Sequence, residues 1–295
     1  MRARNPAAAI LPYKSKLGFY PGNISLNMLD WPLGRPDRLL GNALTIKDME
    51  NNDHLIIQPS KNSMYIHPVG LNLQRVIPPR VSIMVMEPYA IHKRHIENLK
   101  KTFRRFENIL CGCETLLKSV PNGILLPFGT TWITDPLETA PEKNKMCSII
   151  ASQKHDLPGQ ALRHEIIKWA QNDGIKADAI GSGYRPFHHK WEGLAPYCYS
   201  VVIENVREAN YFTEKLIDAI LCGTVPIYWG CPNIGDYFDK SGIVICESKE
   251  DILSAMRDMS MRNYRQRLPG LLALRKRALY WSDLHGRAAR AVLKA

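Results

Sequence analysis

Thr213-Glu214-Lys215 opens a segment whose apolar residues Leu216, Ile217, Ala219 and Ile220 recur at helical spacing. Thr213 suits an N-cap, so Glu214 and Lys215 fall in the first helical turn, where unpaired backbone N–H groups and the helix dipole favour negative charge. Glu214 fits that position and Lys215 does not. The lysine becomes sensible when an anionic ligand sits at the helix end, because ammonium, amides and dipole then act together on a phosphate. Taken alone, the same lysine also reads as a solvated surface residue. Just upstream, the apolar run Tyr199 to Ile203 ends in Glu204 and Asn205, at the strand edge where open α/β sheets place ligands. Tyr211, between that edge and the helix, can stack on or hydrogen-bond a nucleotide.

These residues need a scaffold of alternating strands and helices, and the chain supplies one. Leu55 to Ile57, Val81 to Met86, Asn108 to Cys111 and Gly123 to Leu126 are short apolar runs bounded by turn residues, as buried strands are. Between them, Ile96, Leu99, Phe103 and Phe106 recur at helical spacing, and a short helix is expected around Thr115 to Ser119. The first forty residues, rich in Pro, Gly and Asn, are expected to wrap a surface. Residues 134–145 turn polar and hold Pro136 and Pro141, which marks an interdomain linker. Beyond it, strands are expected at 146–151, 177–180, 199–203, 225–229 and 242–246, with helices at 160–171 and 213–222, the latter closed by Gly223. Further helices follow from Glu250. Repeated strand–helix–strand units imply parallel sheets covered on both faces.

The 295 residues carry 39 Lys+Arg against 28 Asp+Glu, for a formal charge of +11. That excess invites nucleic acid, an anionic membrane or a phosphorylated ligand as a partner. Its placement narrows the choice: residues 257–295 hold ten Lys/Arg against two Asp, and 91–105 hold six against one Glu, so the remainder is slightly acidic. No basic–aromatic interleaving or nucleic-acid reading module is present, so nucleic acid is not an expected partner. No apolar run approaches the ~20 residues that span a bilayer, and the Ala7 to Leu11 stretch behind Arg2 and Arg4 is too short for a signal peptide's apolar region. An unprocessed cytoplasmic protein is expected. Leu268, Leu271, Leu272 and Leu274 beside Arg275-Lys276-Arg277 allow weak peripheral membrane contact through the tail, against the plainer reading of a solvated helix. The seven cysteines are scattered, without C-x-x-C, and are expected to be buried free thiols.

The spaced pattern Glu204-Asn205, Tyr211, Thr213-Glu214-Lys215 and Val225-Pro226-Ile227-Tyr228-Trp229-Gly230 resembles the donor-binding motif of the α1,3-fucosyltransferases. The similarity extends upstream through Ser148 to Ser152, Gly159 and Leu162-Arg163, and through Glu114 to Lys118 and Leu126 to Trp132, covering roughly residues 80–250. The resemblance implies an α/β fold of GT-B type, with two facing Rossmann-like domains and a C-terminal helical tail. The expected divisions are an acceptor-side domain at 1–140, a nucleotide-sugar-binding domain at 141–260 and a basic helical tail at 261–295.

What the resemblance implies in function is an inverting, metal-independent glycosyltransferase that moves a sugar, foremost fucose from GDP-fucose, onto a glycan hydroxyl. The alternatives are another donor such as a UDP-pentose, or a non-catalytic glycan- or nucleic-acid-binding protein. Carried over by position, Arg163 and Lys215 bind the diphosphate, Glu214 the ribose, and Asn205 and Tyr211 the nucleotide. Glu87, at the end of the strand 81–86, is the implied general base, although Met86-Glu87-Pro88-Tyr89 fits the family's local context only loosely. Glu204, Thr213 and Arg185 are second-rank candidates, the last for a phosphate contact. The sequence contains no D-x-D pair, the usual holder of a divalent cation in metal-dependent glycosyltransferases, so neither a metal nor another cofactor is expected.

Overall fold

The computed structural model describes residues 5–13, 20–59, 67, 71–133 and 142–295. The chain divides into two compact units, Met1–Pro127 with Leu284–Ala295, and Phe128–Asp283.

In the first unit, β1 (Ala8–Ile10), β2 (His54–Ile57), β3 (Arg80–Val85), β4 (Ile109–Cys111) and β5 (Gly123–Leu125) form a parallel sheet in that order. Helices α1 (Tyr89–Thr102) and α2 (Glu114–Leu117) connect its later strands. Ile96 and Leu99 of α1 are fully buried, as their spacing requires, in a core with Leu55, Val81, Ile83 and Ile109. The first forty residues do more than wrap a surface. Ala9 and Ile10 are fully buried in β1, and Leu26 and Leu39 join the core. The pattern is hidden because β1 is only three residues long, two of them alanines, and pairs with a strand some forty-five positions on. Buried Asp53 anchors this segment by accepting from Ala7 N at 2.8 Å and pairing with Arg38.

In the second unit, β6 (Lys145–Ile150), β7 (Ala177–Ile180), β8 (Tyr197–Ile203), β9 (Val225–Trp229) and β10 (Val244–Ile245) form another parallel sheet, ordered β10-β9-β8-β6-β7. Helices α3 (Pro158–Asn172), α4 (Glu214–Leu221), α5 (Lys249–Arg257), α6 (Met261–Ala273) and α7 (Arg275–Ser282) complete it. Helix α4 buries Leu216, Ile217, Ala219 and Ile220 completely. It ends as expected at Gly223, whose φ of +64° lets Thr224 N reach back to Ala219 O at 2.9 Å.

The units differ from the divisions expected at 140 and 260. Most of the presumed linker, 134–141, lies outside the described residues, but Thr131 and Trp132 already bond Asp218 of α4, which assigns them to the second unit. The basic tail is not one element. Tyr264, Leu271, Ala278 and Trp281 of α6 and α7 are buried in the second unit's core. Helix α8 (Leu284–Lys294) belongs to the first unit, where Ala288, Ala289 and Val292 are buried and Arg287 Nη1 donates to Pro127 O at 2.9 Å. Its arginine spacing concealed that apolar face. All seven cysteines are buried and none is in a disulfide. Among the described residues no helix is long and apolar enough to cross a membrane.

Candidate functional site

Because the second sheet is parallel, Glu204, Asn205 and Gly230 all follow strands at its C-terminal edge, and the chain leaving β8 returns there to start α4. Glu204 closes that loop. Its carboxylate is fully buried and accepts from both Thr213 N and Thr213 Oγ1, each at 2.8 Å. Thr213 is extended and caps α4 by accepting from Lys215 N at 3.3 Å. Lys215 Nζ is held 3.1 Å from Thr213 Oγ1, 3.1 Å from Glu214 Oε1 and 3.6 Å from Glu204 Oε2. The ammonium is thereby fixed at the helix N-terminus, partly exposed, on a rigid base.

Burial is the largest influence on the Glu204 carboxyl and raises its pKa, with Lys215 opposing and Glu214 reinforcing the rise. Burial also pulls Glu214 upward, but Lys215 and Lys190 more than offset it and hold that carboxyl below its ordinary value. Removing either lysine would leave two neighbouring carboxyls in a poorly solvated place.

The first turn of α3 docks on the end of β8. Pro158 begins the helix, and Gly159 N donates to Asn205 O at 3.0 Å. A Cβ on Gly159 would lie 1.7 Å from Glu204 O, so only glycine permits this approach. A turn later, Arg163 donates through Nε to Ile203 O at 2.9 Å, and through Nη2 to the same carbonyl and to Asn205 Oδ1 at 3.1 Å. The guanidinium is buried, and desolvation lowers its pKa against the pull of Glu204, Tyr211 and Glu214. It remains a cation, since arginine does not deprotonate in proteins. A Cβ on Gly230 would come within 2.6 Å of Glu204 Cγ, so a second glycine clears space for the same carboxylate.

Arg163, Glu204, Asn205, Thr213, Glu214 and Lys215 are thus brought together at one sheet edge. Tyr211 lies close by but is buried, its ring stacked on Phe128 at 6.5 Å between centroids, so it offers no open face for stacking. Arg185 is elsewhere. Its side chain turns back along β7 to pair with Asp178 at 3.6 Å and donate to Tyr197 Oη at 3.2 Å, beside Lys145. Those partners lie near the strand starts, so the structure places Arg185 in an exposed ion pair there and does not bring it into the cluster around Lys215. Gly181 and Gly183 close against the backbone of Ala151 and Ser152. Glu87 belongs to the first unit, partly buried just after β3 and before Pro88, which caps α1.

Two residues of the cluster went unread in the sequence. Asp218 is fully buried one turn beyond Glu214 and accepts from Thr131 Oγ1 at 2.5 Å and Trp132 N at 3.1 Å. An acid inside an otherwise apolar helix face was its available signal. Lys190 is buried with its ammonium 4.8 Å over the Trp132 ring. Burial lowers its pKa, while Glu214 and Asp218 counteract. Nothing in the run around Lys190 marks it. Among the described residues, no three His, Cys, Asp or Glu side chains gather so as to hold a metal ion.

No family model matches the chain. In sequence it is 39% identical over 113 residues to an α-(1,3)-fucosyltransferase of Helicobacter pylori, covering 36% of this chain and 22% of that protein. It is 31% identical over 83 residues to a putative fucosyltransferase-like protein of Arabidopsis thaliana, covering 27% and 16%. The matches thus span about a fifth of the length of these curated relatives. Among solved structures it is similar to a crystal structure of α1,3-fucosyltransferase, with 16% identity, a TM-score of 0.51 and coverage of 83% and 79% of the two chains. It is also similar to the OtsA apo structure, with 10% identity, a TM-score of 0.55 and coverage of 84% and 74%. The resemblance to the α1,3-fucosyltransferases is therefore present in sequence and in fold, and the two parallel α/β units are of GT-B type.

Proposed function

We propose that this chain is an inverting glycosyltransferase that transfers fucose from GDP-fucose to a glycan hydroxyl. The observation that carries this reading is the fixed ammonium of Lys215 at the N-terminus of α4, locked through Thr213 to buried Glu204 and flanked by Arg163. A nucleoside diphosphate leaving group gains negative charge as the glycosidic bond breaks. A cation at a helix N-terminus, already held by short contacts to oxygen, meets that charge without reorganising. The diphosphate would be held by Lys215, the first amides of α4 and the Arg163 guanidinium, whose Nη1 makes no bond among the described residues. Glu214, kept ionised by its two lysines, would accept from the ribose hydroxyls, and Asn205 would orient the nucleotide.

In an inverting transfer, a carboxylate takes the proton from the acceptor hydroxyl as its oxygen attacks the anomeric carbon. Glu87 is the group we assign to that step. The cations supply the stabilisation that a divalent metal provides elsewhere, so we expect the reaction to need none.

The test is a panel of nucleotide sugars screened for protection against thermal unfolding, followed by transfer assays with those that bind. GDP-fucose is expected to stabilise the wild type and to be consumed when a glycan acceptor is present. Stabilisation by a UDP-sugar and not by GDP-fucose would reassign the donor. A chain stabilised by no nucleotide sugar would refute the transferase reading.

A further inference from the structure

The loop from Asn205 to Thr213 carries Tyr211 and delivers Thr213 onto Glu204, so its path decides where Lys215 stands. Asn210 turns it with φ +63°, the one positive φ at a non-glycine position among the described residues. Asparagine tolerates this region better than most L residues, but still at a cost.

Asn233, in the chain leaving β9 and twenty-three positions away, holds it there. Asn233 Oδ1 accepts from Asn210 N at 2.9 Å and from Cys231 Sγ at 3.0 Å. Asn233 Nδ2 donates to Asn210 Oδ1 at 2.9 Å and to Asp236 Oδ2 at 3.0 Å. Both donors and both acceptor positions of this amide are used, so it cannot rotate without breaking bonds. The Tyr237 hydroxyl donates to the same Asn210 Oδ1. Two residues after Asn210, Phe212 is fully buried against Tyr237 and Trp281, so the turn also sets which side chain enters the core.

We propose that Asn233 is a positioning residue for the nucleotide site, clamping Asn210 in its left-handed turn so that Tyr211 and Thr213 stand in register with Glu204 and α4. The proposal rests on the nucleotide-binding reading of that site. Its content is conformational: what matters at position 210 is the backbone turn, and the amide pair is the means of holding it. A glycine adopts this turn without help, and an alanine does not.

Calorimetry with GDP on the full chain tests it, using Asn210→Gly, Asn210→Ala, Asn233→Ala and the double variant Asn210→Gly/Asn233→Ala, with far-UV circular dichroism as the folding check. Asn210→Gly is expected to bind within about two-fold of wild type, and Asn210→Ala and Asn233→Ala each about ten-fold more weakly. The double variant should recover most of what Asn233→Ala loses. Equal losses for glycine and alanine at 210 would overturn the proposal, and that comparison holds even if Asn233→Ala fails to fold. So would unchanged binding by Asn233→Ala, or a double variant no better than Asn233→Ala. Failure of wild type to bind GDP is a separate outcome that removes the nucleotide reading and this inference with it.

Discussion

Gly159→Ala should damage both stability and nucleotide affinity, although alanine is the better helix former. The new Cβ would stand 1.7 Å from Glu204 O, 2.9 Å from its carbonyl carbon and 3.1 Å from Asn205 C. To reach even 3.0 Å from the oxygen, α3 and the end of β8 must separate by about 1.3 Å. Nothing flexible can yield, because the obstructing atoms are backbone and Glu204 is pinned through Thr213. Separation breaks the Gly159 N to Asn205 O bond and stretches those of Arg163 to Ile203 O and Asn205 Oδ1. Overpacking of this kind costs ~1–3 kcal/mol and a lost hydrogen bond ~0.5–1.5 kcal/mol. For a unit of this size a loss of ~2 kcal/mol lowers Tm by about 4–8 °C. Because the shift moves Arg163 by the order of 1 Å, GDP affinity should fall by a factor of ten to about a hundred. Differential scanning fluorimetry and calorimetry measure the two effects. Gly174→Ala is the control: it has φ +67° but nothing within 4 Å of its added Cβ, so it should lower Tm slightly and leave GDP binding alone. If Gly159→Ala keeps wild-type Tm and affinity, the close packing of α3 on β8 does not position this site.

Lys215→Ala should weaken GDP binding by about a hundred-fold or more and also destabilise the fold, since Glu204 and Glu214 then lose the ammonium they share and only Lys190 still opposes Glu214. Adding Glu204→Gln should restore stability but not affinity; recovery of both by calorimetry would show that Lys215 serves only the fold. Burial pushes the Asp218 carboxyl up to about 6 from 3.8, so its contribution is fully present below pH ~4 and is lost as pH rises through 6, a swing of ~3 kcal/mol. Urea titrations should therefore show wild type losing stability relative to Asp218→Asn across that window, and parallel curves would refute the assignment. Transfer activity should persist in excess chelator, and loss restored by magnesium would end the metal-independent reading. Arg185→Ala should leave GDP affinity unchanged within about two-fold, its charge being paired with Asp178.

The net charge of +11 has little bearing on this site. Around the start of α4, Lys215, Lys190 and Arg163 are set against Glu204, Glu214 and Asp218, so its acids and bases balance before any ligand is considered. What favours a diphosphate there is placement: one ammonium held at a helix end, one guanidinium fixed on a strand end, and amides already pointing outward. Such fixed groups lose little conformational freedom on binding, which is where much of the cost of association lies.

How much of this could be read from the chain alone follows from which neighbours each residue needs. Thr213, Glu214 and Lys215 depend on the helix they begin, and Glu204 on the strand it ends, so periodicity and capping rules locate them. The strands of both sheets except β1 follow the same logic. Arg163 was placed by family resemblance, and its role as a clamp on Ile203 O became visible only when α3 met β8. Gly159 and Gly230 look like ordinary helix and strand-end glycines until the Glu204 backbone and side chain stand beside them. Asp218, Lys190 and Asn233 each owe their importance to a group that is distant in sequence: Thr131 and Trp132, the Trp132 ring, and Asn210. No local pattern encodes those pairings, because a buried acid, lysine or asparagine is tolerable only where tertiary structure brings it a partner. An unexplained polar residue in an apolar element, as Asp218 is in α4, therefore signals that a partner exists, while the partner's identity waits on the fold.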